Sequence, residues 1–399
     1  MEHVVVLGGG VGGTLAANLV ARKLRRRIDA GEAEVTVVDA TGRHAYQPGY
    51  MYIAMGHERA KKLVRPERSL LDANVNLLVD DVVGIDTTTQ EVRLASGSAL
   101  RYQHLVIATG SRIVPEELPG FVGEAHHFYT PLASARLRGA LDAFTGGRIV
   151  IGIGGIPYKC PPAPLEVAFL LEAELRQRGL RDRTEITFLS PINRAFTIES
   201  VSRMATPILE EKGIHVELLA GVAEVDPARK VVITDAFEEH PYDLLICVPP
   251  HRGAQVLTDS GLAPRSGWVP TDRSTLQVKT DPNPAPGTPD ADVPRYANVF
   301  ALGDATDLPL SKAGSTAHFE APIVAERIAA AVLGREPSGR HATYDGRVMC
   351  FFEVGDGKGT LLRFDYEHPP KPPVPNRVWH LGKIAFNRTY WHTVPRGRV

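Results

Sequence analysis

The chain has 399 residues, 43% of them hydrophobic and 23% charged, with 45 Lys plus Arg against 46 Asp plus Glu. That balance excludes a disordered chain, a fibre and a coiled coil, and the net charge of -1 removes any global electrostatic case for nucleic acid. No apolar run approaches the roughly 20 residues of a membrane span, and three cysteines in so long a chain are not a secreted disulfide framework.

The β-branched run Val4-Val5-Val6-Leu7 predicts a strand buried on both faces. It begins so early, with no basic stretch and apolar core ahead of it, that a cytoplasmic location is expected. The strand runs into Gly8, Gly10 and Gly13, spaced as G-x-G-x-x-G. Gly8 allows the tight turn, Gly10 admits a pyrophosphate close to the backbone, and Gly13 lets the next helix pack on the strand. Leu15, Leu19 and Leu24 recur at helical spacing, and the arginines of 22–27 make a basic last turn. A second strand at 34–38 ends in Asp39, an acid suited to ribose hydroxyls. A strand at 102–107 ends in Ala108-Thr109-Gly110, and a later one at 298–302 ends in Gly303-Asp304. Residues 315–332 carry Ala317, Ala321, Ala325 and Ile328 at helical spacing.

A second strand-and-glycine start appears at 148–157, with Gly152 and Gly154 but Pro157 where a third glycine belongs. Its ring and missing N–H disturb a pyrophosphate loop, and the next strand, 185–189, ends at Ser190 rather than at an acid. The architecture of a second dinucleotide fold is expected there without equipment for a nicotinamide. Cys247 lies in the apolar run 243–248 and reads as an inert core thiol.

The glycine loop, the Ala108-Thr109-Gly110 strand end and the late Gly303-Asp304 together resemble the FAD-dependent pyridine nucleotide-disulfide reductase superfamily. That resemblance implies two Rossmann-like α/β domains, FAD as cofactor, and Asp304 on the flavin ribityl chain. It also points the N-terminus of the 315–332 helix at the flavin, where its dipole favours negative charge.

Two further strings are more particular. Lys159-Cys160-Pro-Pro-Ala-Pro-Leu-Glu166 and Val348-Met-Cys350-Phe-Phe-Glu-Val-Gly resemble the sulfide:quinone oxidoreductase family and the related flavoprotein of flavocytochrome c sulfide dehydrogenase. The resemblance implies that Cys160 and Cys350 form a redox-active disulfide beside the flavin. Cys160 then carries a persulfide and Cys350 passes electrons to the ring, with a quinone as final acceptor. Lys159 is a candidate cation to lower the Cys160 pKa, and Glu166 a candidate acid/base. Leu308-Pro309-Leu-Ser-Lys312-Ala-Gly314 resembles the family's lysine segment, which assigns Lys312 to the reduced flavin or the quinone. The family's third cysteine is absent from the matching stretch Phe128-Tyr129-Thr130-Pro131, and no cysteine precedes Cys160, so the FAD is expected to be non-covalent.

Residues 368–399 hold no Asp or Glu but carry Lys371, Arg377, Lys383, Arg388, Arg396 and Arg398 among Trp379, Phe386, Tyr390 and Trp391. Basic and aromatic residues so mixed suit an anionic membrane surface, where a lipid-soluble quinone would be met. The expected division is 1–115 and 282–334 for the FAD domain, 116–281 for the second fold and 335–399 for a redox and docking segment, with the proline-rich run 281–294 as connector. A homodimer is compatible with the sequence, and no metal is expected. Two other readings stay open: an NADH:quinone oxidoreductase of type II, and a non-catalytic FAD and disulfide sensor.

Overall fold

The apolar run at the start of the chain forms the strand Glu2–Leu7, whose last four residues are completely buried. Such burial stabilises by about 1.5–3 kcal/mol per Val or Leu side chain. A computed structural model describes residues 1–285, 287–289 and 292–398. In it Glu2–Leu7 lies at the middle of a six-stranded sheet, parallel to Ala33–Asp39 on one side and His104–Ile107 on the other. Asn76–Val79 extends one side in parallel. On the other, Arg295–Ala301 pairs in parallel with His104–Ile107, and Gln277–Lys279 closes the edge antiparallel. The chain thus returns to its first sheet late, as the Gly303-Asp304 signal requires.

Glycine is needed where this sheet meets its first helix, Val11–Lys23. A Cβ on Gly13 would lie 1.9 Å from the Gly8 carbonyl oxygen. One on Gly12 would lie 2.2 Å from Leu302 Cδ1. The helix therefore packs closely on its own strand and on the helix Gly314–Val332, sharing one core through Ala16, Ala17, Val20, Ala321 and Val324. The basic run 22–27 is not one last turn: the chain turns at Leu24 into a short helix, Arg25–Asp29.

A second, four-stranded parallel sheet orders Ile214–Leu218, Thr184–Ser190, Gly147–Ile153 and Leu244–Val248. The fold class is therefore α/β with two Rossmann-like sheets, each flanked by a three-stranded antiparallel sheet, at 82–101 and 222–241. Cys247 is fully buried in the second sheet, and burial pushes its thiol pKa up, as suits an inert core residue. Within the proline-rich connector, Pro286 lies outside the described residues, as do 290 and 291.

The C-terminal region folds as a hairpin, Val348–Glu353 with Gly359–Phe364, followed by the helix Arg377–Thr389. Prolines up to 375 delay this helix, and Asn376 starts it by accepting from the N–H groups of Val378 and Trp379. Part of the basic, aromatic tail is not surface. Tyr390 is buried with its hydroxyl 2.7 Å from His44 Nε2, and Lys383 is buried as well. Phe386 and Trp391 pack beside Tyr390 in the same cluster. Val399 lies outside the described residues.

Candidate active site

The first glycine loop leaves room and unmet donors. Gly10 is the N-cap of Val11–Lys23 with no side-chain cap, and a Cβ built on it meets nothing within 4 Å. The helix N-terminus therefore presents free N–H groups to an open space. Ala108 closes against Gly8, whose own Cβ would fall 2.5 Å from the Ala108 oxygen. Thr109 keeps a buried hydroxyl with no partner, and Gly110, at φ 66, also faces open space. Asp304 is held among Ser111, Lys159 and Lys312; burial pushes its carboxyl up and the two ammonium groups oppose that. These features fit FAD: Gly8–Gly13 would hold its pyrophosphate and Asp304 its ribityl chain. Asp39 is already engaged: Oδ2 accepts from the Gly9 N–H at 2.8 Å and Oδ1 from the Thr41 and Gly42 N–H groups. It braces the glycine loop.

The two cysteine segments meet beside the segment that follows Gly303-Asp304. The Cys160 N–H donates to the Lys312 carbonyl at 2.8 Å, tying the segment after the second glycine loop to the one after Gly303-Asp304. Cys160 has φ 54, a left-handed conformation that costs a non-glycine residue about 1 kcal/mol or more. Cys350 lies on Val348–Glu353, with Sγ 3.7 Å from the Ser315 hydroxyl in the first turn of Gly314–Val332. Both are free, half-buried thiols, and Cys350 contributes to holding the Cys160 thiol pKa up. Burial pushes Cys350 up to about 11, with the Ser315 bond opposing, and pushes Cys160 higher still.

Glu166 lies in the first turn of the helix Ala163–Gln177, but it does not cap it. Its Oε1 accepts from the Glu353 N–H at 2.8 Å and from Lys383 Nζ at 2.6 Å. Lys383 also lies 3.4 Å from Glu353 Oε2, which accepts from the Tyr52 hydroxyl at 2.6 Å. Glu353 Oε1 is 2.6 Å from His380 Nδ1. Burial pushes Glu166 up against the opposing Lys383; on Glu353, Lys383, Tyr52 and His380 outweigh burial and bring the carboxyl below its usual value. The two carboxylates in turn hold Lys383 well above the ordinary lysine pKa.

Sequence reasoning missed Tyr52, Ser315, Glu353, His380 and Lys383. Only Glu353, three residues after Cys350, carried a local signal. Lys383 was read as a surface cation, and the reading is corrected by its burial between two carboxylates, where an unpaired charge could not stay. Lys159 is corrected too. Its Nζ donates to Gln47 Oε1 at 3.2 Å and to the Ser111 carbonyl at 3.4 Å and faces Asp304, whereas the cation acting on Cys160 is Lys383.

Lys312 is buried, its Nζ donating to the Thr306 carbonyl at 2.7 Å and lying 4.1 Å above the Trp268 ring. Burial pulls its pKa down, while Asp304, Asp307 and Glu320 hold it up. In the second glycine loop, Gly155 lies against Pro250, and Arg252 pairs with Glu117 at 2.7 Å beside it. The strand end at Ser190 is closed by its own hydroxyl bond to the Arg194 carbonyl, 2.6 Å.

A dinucleotide cradle in the first fold, with thiols gathered at the N-terminus of its last helix, is the architecture of a flavin-dependent oxidoreductase. The chain belongs to the pyridine nucleotide-disulphide oxidoreductase family, whose sequence profile matches residues 2–321, and its cofactor is FAD. It is 28% identical over 384 residues to the mitochondrial sulfide:quinone oxidoreductase of Mus musculus, covering 94% of this chain and 80% of that one. It is 24% identical over 427 residues to the sulfide-quinone reductase of Aquifex aeolicus, covering 100% and 92%. The crystal structure of the sulfide:quinone oxidoreductase from Aquifex aeolicus superimposes with a TM-score of 0.80 at 21% identity over 100% of this chain and 92% of that one, a likeness of fold.

Proposed function

We propose that this enzyme oxidises sulfide to sulfane sulfur and passes the electrons through FAD to a quinone, with Cys160 and Cys350 as its redox pair. The observation that carries the reading is the convergence of these two thiols, from distant segments, on one ion network beside the uncapped N-terminus of Gly314–Val332. In the oxidised enzyme the pair is a disulfide. Sulfide attacks Cys160, the S–S bond breaks, and Cys350 leaves as thiolate. Cys350 is the better leaving group, because the thiol of lower pKa leaves faster and Ser315 donates toward it. Bound FAD supplies the two-electron acceptor chemistry at this point. The helix N-terminus and Lys312 hold negative charge beside the thiols, and Glu166 takes the proton that sulfide loses.

FAD binds without a covalent link, since no cysteine precedes Cys160. Pro157 and Ser190, in place of glycine and acid, speak against NADH as the donor. Sheet membership supports divisions near 115 and 334, but Gln277–Lys279 already pairs in the first sheet and Leu257, Leu262 and Val269 share its core, so the chain re-enters the FAD domain before 281. Contact with a membrane surface falls to the outer face of Arg377–Thr389. There Val378 and Leu381 are 72% and 61% exposed, Val374 precedes them at 82%, and Lys371, Arg377 and Arg388 are exposed around them. Among the described residues no helix is long and apolar enough to cross a membrane.

Anaerobic absorbance of the FAD-loaded protein tests the reading. Sulfide should bleach the flavin, and quinone should restore it. Bleaching should be lost in Cys160→Ser and in Cys350→Ser, both still loaded with FAD. Rapid bleaching by NADH alone, or bleaching by sulfide that survives both substitutions, would refute it.

A further inference from the structure

Sulfide oxidation releases protons as well as electrons, and the carboxylate tied to both thiol segments, Glu166, is buried. We infer that His380 is the outlet through which protons from the sulfur site reach solvent, along Glu166, Lys383 and Glu353. The inference rests on the function proposed above. In the step at issue, hydrogen sulfide and the Cys160–Cys350 disulfide give a Cys160 persulfide, a Cys350 thiolate and one proton. One S–S bond breaks, one forms, the disulfide is the oxidant, and the proton must go to a nearby base.

Glu166 is tied to both thiol segments: its Oε1 accepts from the Glu353 N–H on the strand that carries Cys350, and its helix starts at Ala163, whose N–H donates to the Cys160 carbonyl at 2.9 Å. From Glu166 the polar contacts are continuous: 2.6 Å to Lys383 Nζ, 3.4 Å from there to Glu353 Oε2, and 2.6 Å from Glu353 Oε1 to His380 Nδ1. A proton arriving on Glu166 lets the Lys383 ammonium release one of its own to Glu353 and recover it from Glu166. Glu353 passes it to Nδ1 of His380, and Nε2 returns a proton to water. The charge of the network is the same before and after, so no bare charge is left in the interior.

Exposure fixes the direction. The side chains of Glu166, Lys383 and Glu353 are 4%, 11% and 2% exposed, whereas that of His380 is 28% exposed. Tyr52, the other partner of Glu353, is a less suitable outlet, because burial pushes its phenol far above the range in which it could exchange a proton at neutral pH. Imidazole has a second nitrogen through which the transfer can be completed.

The test uses the FAD-loaded protein and two variants. His380→Gln keeps a side-chain amide able to donate to Glu353 but cannot carry a proton; His380→Phe removes both properties. At constant pH and low buffer concentration, sulfide-driven bleaching of the flavin should slow at least ~10-fold in both. Added free imidazole should restore the rate in both, without changing FAD content or the rate of photochemical flavin reduction. A wild-type rate in His380→Gln, or slow bleaching that imidazole does not restore, would overturn the inference. Failure of the proposed function gives a different result: the wild-type protein itself is then not bleached by sulfide.

Discussion

The ion network beside the thiols makes its sharpest prediction through Lys383→Met. Methionine keeps the apolar stem and removes the ammonium. Lys383 is 11% exposed, between Glu166 at 4% and Glu353 at 2%. Removing one partner of a buried pair leaves an uncompensated charge and costs about 3–5 kcal/mol. Here two carboxylates lose the cation, so at neutral pH one of them must take up a proton on folding. The folded pKa of that carboxylate then stands above its unfolded value of about 4.3. Such a group favours the folded state fully below the unfolded pKa and loses that contribution as pH rises through the folded pKa. The deficit of the variant should therefore be largest at pH 7.5 and shrink toward pH 4.5. Denaturant unfolding with saturating FAD at both pH values, followed by tryptophan fluorescence, measures it. Lys383→Met combined with Glu166→Gln should recover at least ~1 kcal/mol at pH 7.5, because the second change removes one of the stranded charges. A loss under about 1 kcal/mol that does not vary with pH would show that Lys383 is not held between the two carboxylates.

The cofactor loop separates two glycines by their surroundings. Gly10→Ala meets open space and should leave the folded protein intact while weakening FAD binding, whereas Gly13→Ala would collide with the Gly8 carbonyl and reduce soluble yield; FAD fluorescence titration and thermal unfolding distinguish the two. Glu326 accepts from Arg335 and from Lys23, and these bonds bring its carboxyl down to about 2 from 4.5. Its contribution to stability is present above about pH 4.5 and lost as pH falls toward 2, so Glu326→Gln should cost about 1–2 kcal/mol at pH 7, given the partial exposure of both cations, and progressively less in acid-unfolding curves. The double variant Val378→Asp, Leu381→Asp should fold normally and lose sedimentation with anionic phospholipid vesicles; retention of vesicle binding would assign the contact to another surface.

How much of this was legible depended on the range over which each property is encoded. Glycine spacing is local, and a strand, a tight turn and a helix leave few alternatives for 4–23, so the FAD cradle was readable in one dimension. The helix at 314–332 and the core character of Cys247 were readable for the same reason. Glu166 was singled out, but its partners were not. A lysine at the centre of an amphipathic, acid-free tail has the same local signature whether it faces solvent or the interior, and only the carboxylates of Ala163–Gln177 and Val348–Glu353 decide between them. Lys159 erred the other way, since adjacency to Cys160 in sequence did not set its ammonium against the thiol.

The flavin followed from the resemblance carried by Ala108-Thr109-Gly110 and Gly303-Asp304, whereas the sequence by itself determined that two dinucleotide folds would form and that the second would carry Pro157 and Ser190 in place of a glycine and an acid. It did so because backbone geometry at glycine and proline, and the burial of β-branched runs, are decided within a few residues. Tertiary structure alone decided the environment of the thiols. It set Cys350 at a helix N-terminus, joined Cys160 to the lysine segment through one backbone hydrogen bond, and drew Lys383 inward between two carboxylates. A charge's partner and its distance from water are properties of the packed molecule, and no local pattern carries them.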